Sequence, residues 1–290
     1  MREIVVISGK GGTGKTTVSA AFAHLARNKV ICDLDVDAPD LHILLAPRVE
    51  AAQAFVSGHR AVIRQENCVR CGSCAGLCKF DAVSFSNNHY EVDPLRCEGC
   101  GVCAHLCPSR AVELTEEHCG DWYRSQTRFG PMVHALLFPG QENSGKLVSL
   151  LKVEARALAR EQGLDTILCD GSPGVGCPVI ASLSGASLAV GVVEPTPSGR
   201  HDFLRIAELC RHFRVPLAVI INKADLNDRE AGAIAGECAE RGEILLGSLP
   251  FDPVVTQAMV RRQALTEFDN VVGNKLKDMW AALQNIRMRH

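Results

Sequence analysis

The sequence predicts an α/β protein, a mainly parallel sheet flanked by helices, carrying a small inserted α+β domain. Three observations lead there. Short apolar strands alternate with helical stretches at both ends of the chain, the pattern of a parallel sheet covered on both faces. The first strand runs directly into a glycine-rich loop, GKGGTGKT at 9–16. Between roughly 61 and 117 the alternation gives way to cysteine, glycine and short β-prone pieces.

At 290 residues the chain fits one or two domains, and 47% hydrophobic with 22% charged content suits a sizeable core. A formal charge of -2 gives no global reason to expect nucleic acid or an anionic membrane as partner. No run of about eighteen apolar residues offers a spanning helix. The chain opens on a strand rather than a leader, so a cytoplasmic protein is expected. Fourteen cysteines in a reducing compartment favour metal ligation over a disulfide scaffold, because eight of them fall in two tight runs.

Taken in order, EIVVIS is a strand, KTTVSAAFAHLARN a helix and KVICDLD a second strand. Beyond the cysteine-rich stretch, SGKLVSLLKVEARALAREQG reads as a helix and DTILCD as a buried strand. SLAVGVVEP and PLAVIINKAD supply two more strands. Residues 1–60 and 118–290 thus form one domain, and 61–117 interrupt it.

The interruption is itself a repeat. Cys68, Cys71, Cys74 and Cys78 recur 29 residues later as Cys97, Cys100, Cys103 and Cys107, and FDAVSF recurs as SRAVEL. Two copies of one half-domain related by a pseudo-twofold follow. Each run is C-x2-C-x2-C-x3-C, the bacterial ferredoxin spacing for [4Fe-4S] clusters, in which the fourth cysteine serves the other cluster. That assigns Cys68, Cys71, Cys74 and Cys107 to one cluster, and Cys97, Cys100, Cys103 and Cys78 to the second. Structural zinc, the alternative, favours two separated C-x2-C pairs. The second run ends in Cys107-Pro108 but the first in Cys78-Lys79. That lysine either favours reduction of the second cluster or is solvated without effect.

GKGGTGKT between strand and helix matches the phosphate-binding P-loop. The nucleotide-binding residues are Gly9, Lys10, Gly11, Gly12, Thr13, Gly14, Lys15, Thr16 and Thr17, and the backbone amides of Gly11 to Thr16 can cradle phosphate oxygens at the helix N-terminus. Lys15 reaches the β- and γ-phosphates, and the Thr16 hydroxyl ligates Mg2+. CDLDVDAPDLH places Asp33, Asp35 and Asp37 at the end of the second strand, beside the crevice. ILCDGSPG supplies a further carboxylate, Asp170, after an apolar run.

A lysine directly after the first glycine, Lys10, is the added mark of the deviant Walker A class, and here the chain resembles the MinD/ParA and nitrogenase iron protein family. The resemblance implies that Lys10 crosses to a partner's ATP in a nucleotide-dependent homodimer. It also implies that Asp35 orients or deprotonates the attacking water, with Asp33 and Asp37 as further candidates near Mg2+. Asn222 of INKAD would meet adenine, although the same pattern, with Asp225, reads guanine in GTPases. A later loop, LPFD with Pro250 and Phe251, would pack on the base.

DVDAPDLH, RFGPMVHA, ENSGKLV, DGSPGVGCPVIAS and EPTPSGRHD resemble more narrowly the MinD-superfamily ATPases with an inserted ferredoxin domain. Some of these are described as cobyrinic acid diamide synthase-like, yet no glutaminase cysteine–histidine module is seen here. Cys177 stands seven residues after Asp170, the spacing of an interface cluster cysteine in the nitrogenase iron protein. The favoured reading is nevertheless a small buried residue beside the turn at Gly171 to Gly174, since an interface cluster needs a second cysteine per chain and Cys119 is the only one to consider.

Cys32, Cys169, Cys210 and Cys238 read as core residues. KLKDMWAALQNIRMRH reads as a core-packing terminal helix rather than a membrane anchor. Arg200, Arg205, Arg211 and Arg214 read as a solvated helix face. The resulting expectation is an ATP-hydrolysing iron–sulfur protein that couples nucleotide state to electron transfer, with a redox partner or client. A cluster or metal carrier, and a redox-sensing positioning ATPase, are the alternatives.

Overall fold

A computed structural model describes residues 1–141 and 143–286. The chain begins with β1 (Arg2–Ser8), buried from its second residue onward, and passes through the glycine loop into α1 (Lys15–Leu25). β2 (Lys29–Asp33), fully buried, and α2 (Leu41–Leu45) follow. Next come β3 (Arg48–Ile63), α3 (Ser73–Leu77), β4 (Val83–Ser86), β5 (His89–Val92), α4 (Val102–His105) and β6 (Val112–Thr127). The chain then runs through β7 (Gly130–Leu137), α5 (Ser144–Glu161), β8 (Thr166–Pro173), α6 (Cys177–Leu183), β9 (Leu188–Val193) and α7 (Pro197–His212). β10 (Leu217–Ile221), α8 (Asp228–Arg241), β11 (Ile244–Ser248), α9 (Val254–Val260) and α10 (Val271–Gln284) complete it.

Nine strands form one sheet in the order β11-β10-β9-β1-β8-β2-β7-β6-β3. Every pairing from β11 through to β7 is parallel, as the strand–helix alternation requires. β6 and β7 are adjacent strands joined by two residues and so pair as a hairpin. The order reverses around β1, which places the crevice at its carboxyl end, where the glycine loop leaves.

Two compact units divide the chain. The larger comprises Met1–Gln53, Asp121–Leu136 and the chain from Ser144 onward; the smaller comprises Ala54–Gly120 and Leu137–Asn143. The smaller is therefore wider than the 61–117 read from composition. β3 and β6 each run as one strand through those boundaries, and the cysteine-rich composition marks only their inner parts. The long strand over 48–63 was not expected: RVEAAQAFVS is alanine-rich, with little β propensity, and its first seven residues are exposed.

In the larger unit the core is aliphatic, built from β1, β8, β9 and β10 against α1 and α10. Phe22 and Trp280 meet at 5.0 Å between ring centroids. Leu276, Met279, Trp280 and Leu283 are buried on one face of α10, each contributing about 1.5–3 kcal/mol by burial. The terminal helix thus packs into the core as expected; Arg287 to His290, the end of that stretch, and Glu142 of ENSGKLV lie outside the described residues. Cys32, Cys169, Cys210 and Cys238 are buried, also as expected. Among the described residues no helix is long and apolar enough to cross a membrane.

The smaller unit has its own core. Ala61, Ile63 and Val112 are buried, with Val83, Tyr90 and Val92 packed against them. These six fall into pairs 29 residues apart, the interval of the cysteine runs. Left-handed backbone recurs at the same interval: Arg70 and Gly99, Gly72 and Gly101, Asp81 and Arg110 all have φ between 51° and 78°. The sequence repeat is therefore a backbone repeat.

Candidate functional site

The glycine loop turns back over the first turn of α1. Gly12 (φ 78°) and Gly14 (φ 93°) adopt the left-handed conformation that side chains resist. Gly14 caps α1 without a side chain, which leaves the first-turn amides to an incoming anion. A second constraint acts there: a Cβ on Gly14 would stand 2.4 Å from Asn222 Nδ2. That amide donates to the Thr13 carbonyl at 2.8 Å, so the loop is tied to the end of β10. The cavity above the loop holds about 410 Å³ and is lined by Gly11, Gly12, Gly14, Lys15, Thr16 and Thr17 on one side. Asn222, Leu249, Pro250 and Phe251 line the other, with Asp35 also at the wall. This is the size and mixed character of a small-molecule site.

Below the cavity lies a buried charge cluster. Lys15, 6% exposed, donates to Asp170 Oδ1 at 2.8 Å and lies 3.3 Å from Asp35 Oδ2. Ser19, one turn along α1 on the same face, donates to Asp170 Oδ1 at 2.8 Å. Asp33 and Asp170 are direct register partners on neighbouring parallel strands, which forces two buried carboxylates side by side. Asp33 Oδ1 accepts the Asp35 N–H at 3.1 Å, while Asp33 Oδ2 and Asp170 Oδ2 are buried without a hydrogen-bond partner.

Burial, then the Asp170 charge, pushes the Asp33 pKa far above the ordinary carboxylate range. Burial also raises Asp35, against the opposing pull of Lys15. Burial works to lower Lys15, but Asp170 and Asp35 together hold it above its usual value. Asp170 and Asp35 contact one ammonium, Asp33 lies beside Asp170, and two carboxylate oxygens are orphaned. The three side chains do not converge on one ion, but they are hard-oxygen donors short of positive charge. Mg2+ suits such a set, and Thr16, at the cavity wall, adds a hydroxyl.

Lys10 points away from this cavity. Its ammonium lies 3.2 Å from Glu194 Oε2 and 3.4 Å from Thr196 Oγ1, at the end of β9. Glu194 also binds Lys223, whose Nζ donates to the Gly12 carbonyl at 3.1 Å. Gly9 packs against Asp202, where a Cβ would stand 2.2 Å from the Asp202 Cβ. Asp225 does not line the cavity; it accepts the Phe251 N–H at 2.6 Å and so fixes the loop that does. Asp37 is exposed.

The cysteine runs form a second candidate site. Cys68, Cys71, Cys74 and Cys107 line one cavity together with Gly72, Tyr90, Ile63 and Val112. The fourth cysteine of the second run thus joins the first three of the other. The Ala111 N–H donates to Cys107 Sγ at 3.2 Å, and at the repeat-related position the Ala82 N–H donates to Cys78 Sγ at 3.3 Å. Cys97 and Cys103 pack on the shared core; Cys100 is exposed. The Ser73 hydroxyl lowers the Cys71 pKa. For Cys107, burial acts upward, but the Ser109 hydroxyl and the Ala111 and Ser109 amides outweigh it and hold the thiol below its usual value. Burial raises Cys74 and Cys103. Among the described residues no three Cys, His, Asp or Glu side chains converge on a single ion. Sulfurs spread around a cavity instead suit a cubane, whose four irons each take one thiolate.

Sequence reasoning missed Ser19, Glu194, Thr196 and Lys223. Only Ser19 carried a local signal, its i+4 spacing from Lys15. The expectation that Cys177 is a buried residue is corrected: it is exposed, as the first residue of α6. Cys119 is buried and donates to the Ser57 carbonyl at 2.8 Å. On the α7 face, Arg200 pairs with Glu237 at 2.5 Å and Arg211 approaches Glu243 at 3.9 Å.

Comparison with known proteins adds the following. The CobQ/CobB/MinD/ParA nucleotide binding domain matches residues 4–265. The uncharacterized protein MJ0578 of Methanocaldococcus jannaschii is 32% identical over 286 residues, 97% of this chain and 96% of that protein. The cytosolic Fe-S cluster assembly factor Nubp1 homolog of Drosophila yakuba is 28% identical over 134 residues, 39% of this chain and 43% of that protein. Among solved structures, the cell division ATPase MinD of Pyrococcus furiosus superposes with a TM-score of 0.58 at 17% identity, covering 98% of each chain.

Proposed function

The chain belongs to the CobQ/CobB/MinD/ParA nucleotide-binding family, and on that premise we propose that it is a cytoplasmic ATPase, working as an ATP-dependent homodimer, whose nucleotide state governs electron transfer through two [4Fe-4S] clusters to a protein partner. The observation that carries the reading is one chain holding two sites. The P-loop cavity lies over the orphaned oxygens of Asp33 and Asp170, and the second cavity is walled by cysteines from both runs.

Phosphoryl transfer asks for positioning and charge neutralisation rather than covalent help from the protein. Lys15 would exchange Asp170 and Asp35 for β- and γ-phosphate oxygens. The released Asp170, with Thr16 and Asp33, would hold Mg2+, which when bound supplies charge stabilisation on the phosphates. Asp35, which lines the cavity and is raised by burial, would then accept a proton from the attacking water once its ammonium has left. Asn222, Pro250 and Phe251 would flank the adenine. No nucleic acid or membrane is required.

The test is anaerobic: ATPase rate on protein of counted iron, first oxidised and then reduced with dithionite. A change in rate with cluster redox state is expected. Equal rates at full iron would overturn the coupling. A second reading, an iron–sulfur cluster carrier or assembly scaffold, is favoured by the Nubp1 similarity, and cluster transfer to an apo-ferredoxin would select it.

A further inference from the structure

The two halves of the smaller unit share a backbone but not their side chains, and the differences fall around the sulfurs. The Ser73 hydroxyl lies 3.3 Å from Cys71 Sγ, and the Ser109 hydroxyl lies 3.7 Å from Cys107 Sγ. Both cysteines line the same cavity, and Tyr90 lines it too. The Tyr90 hydroxyl approaches Gly72, where a Cβ would stand 2.9 Å from it. Shifted by the 29-residue repeat, these three positions become Val102, Phe80 and Ala61, none of which carries a hydroxyl. The backbone donors do not discriminate, because Ala82 and Ala111 serve Cys78 and Cys107 alike.

Charge inside the runs mostly points the same way. Arg70 lines the first cavity, and its counterpart is Gly99; next to it Val69 faces Glu98 across the repeat. Lys79, beside Cys78, acts in the opposite sense. Arg70, Glu98 and Lys79 are all exposed, and exposed charges are screened by water and salt, whereas a hydroxyl at hydrogen-bond distance from a sulfur is not, so the hydroxyls decide the order. Donors to thiolate sulfur and nearby positive charge both favour the reduced, more negative form of an iron–sulfur cluster.

We infer that Ser73, Ser109 and Tyr90 make the Cys68, Cys71, Cys74 and Cys107 cradle the higher-potential of two inequivalent sites, so that the first electron entering the smaller unit resides there. The inference rests on the two-cluster reading above and reverses the order that Lys79 alone would give. The step is a single electron from a one-electron donor: the donor is oxidised, the first cluster is reduced, and no bond forms or breaks.

Anaerobic potentiometric titration with dithionite, followed by electron paramagnetic resonance, tests it on the full chain. Two separate reduction waves are expected. The combined Ser73→Ala, Ser109→Ala and Tyr90→Phe variant should lower the upper wave alone, changing the partition of the first electron by about tenfold or more, 59 mV for a one-electron couple. The mirror variant Val102→Ser should raise the lower wave. Full iron and sulfide content with a single unresolved wave, or with the hydroxyl variant moving the lower wave, would overturn the inference while leaving the clusters. Protein that binds no iron–sulfur cluster on reconstitution would overturn the two-cluster reading itself.

Discussion

Asp33 shows how much of this site is decided by one side chain. It is 1% exposed, faces Asp170 across the register of two parallel strands, and keeps one oxygen without a partner. Burial raises its pKa far above the ordinary range, so the native chain holds a proton that the unfolded chain, with a carboxylate pKa near 3.9, has released. Stability of the nucleotide-free protein therefore falls as pH climbs from that value towards the raised one. Asp33→Asn cannot titrate and should flatten that fall, measured as Tm against pH from mildly acidic to neutral solution. The same change should cost about a hundredfold or more in Mg2+-dependent ATP turnover, the order lost when one charge-stabilising group is removed. A variant with parallel pH dependence and full turnover would remove Asp33 from the cation site.

At the level of elements, the β1–loop–α1 unit is the most demanding piece of backbone. Gly14 is both the cap of α1 and the point where β10 approaches the loop, through Asn222. Gly14→Ala would meet a left-handed strain of about 1–3 kcal/mol as well as the Asn222 amide at 2.4 Å. We expect a lower Tm and ATP affinity reduced at least about tenfold by calorimetry; unchanged affinity would show that the loop geometry is not what binds phosphate.

This element was legible in the sequence because a glycine pattern, an apolar strand and an apolar-faced helix agree locally. The paired cysteine runs were legible for the same reason, as a spacing repeated at 29 residues. β3 was not: its outer half, RVEAAQAFVS, is exposed over its first seven residues, has no apolar alternation and holds only two β-branched residues, Val49 and Val56, so that pairing in the sheet makes it a strand. Nor was the Lys15–Asp170 contact, whose partners lie 155 positions apart. The exposure of Cys177 was misjudged because proximity to a buried strand in sequence says little about the first turn of the helix that follows.

The behaviour of the whole molecule turns on where Lys10 spends its time. In the single chain its ammonium rests between Glu194 and Thr196, and Lys10 in that ion pair is 34% exposed. A partly exposed pair of this kind is worth about 0–1 kcal/mol, less than a charge-assisted bond to phosphate in a closed interface. The lysine is thus held, but weakly enough for a second chain's nucleotide to take it. If the proposed homodimer is the active form, turnover per chain should rise with protein concentration, and ATP should promote self-association in sedimentation experiments. Lys10→Ala should then lower turnover by about 10³-fold or more, the scale of a charge-neutralising finger supplied in trans. Glu194→Gln weakens the intrachain hold and should shift association to lower protein concentration. Full, concentration-independent turnover in Lys10→Ala would mean that each chain hydrolyses ATP alone, and that the contact with Glu194 is the resting place of a lysine without a catalytic task.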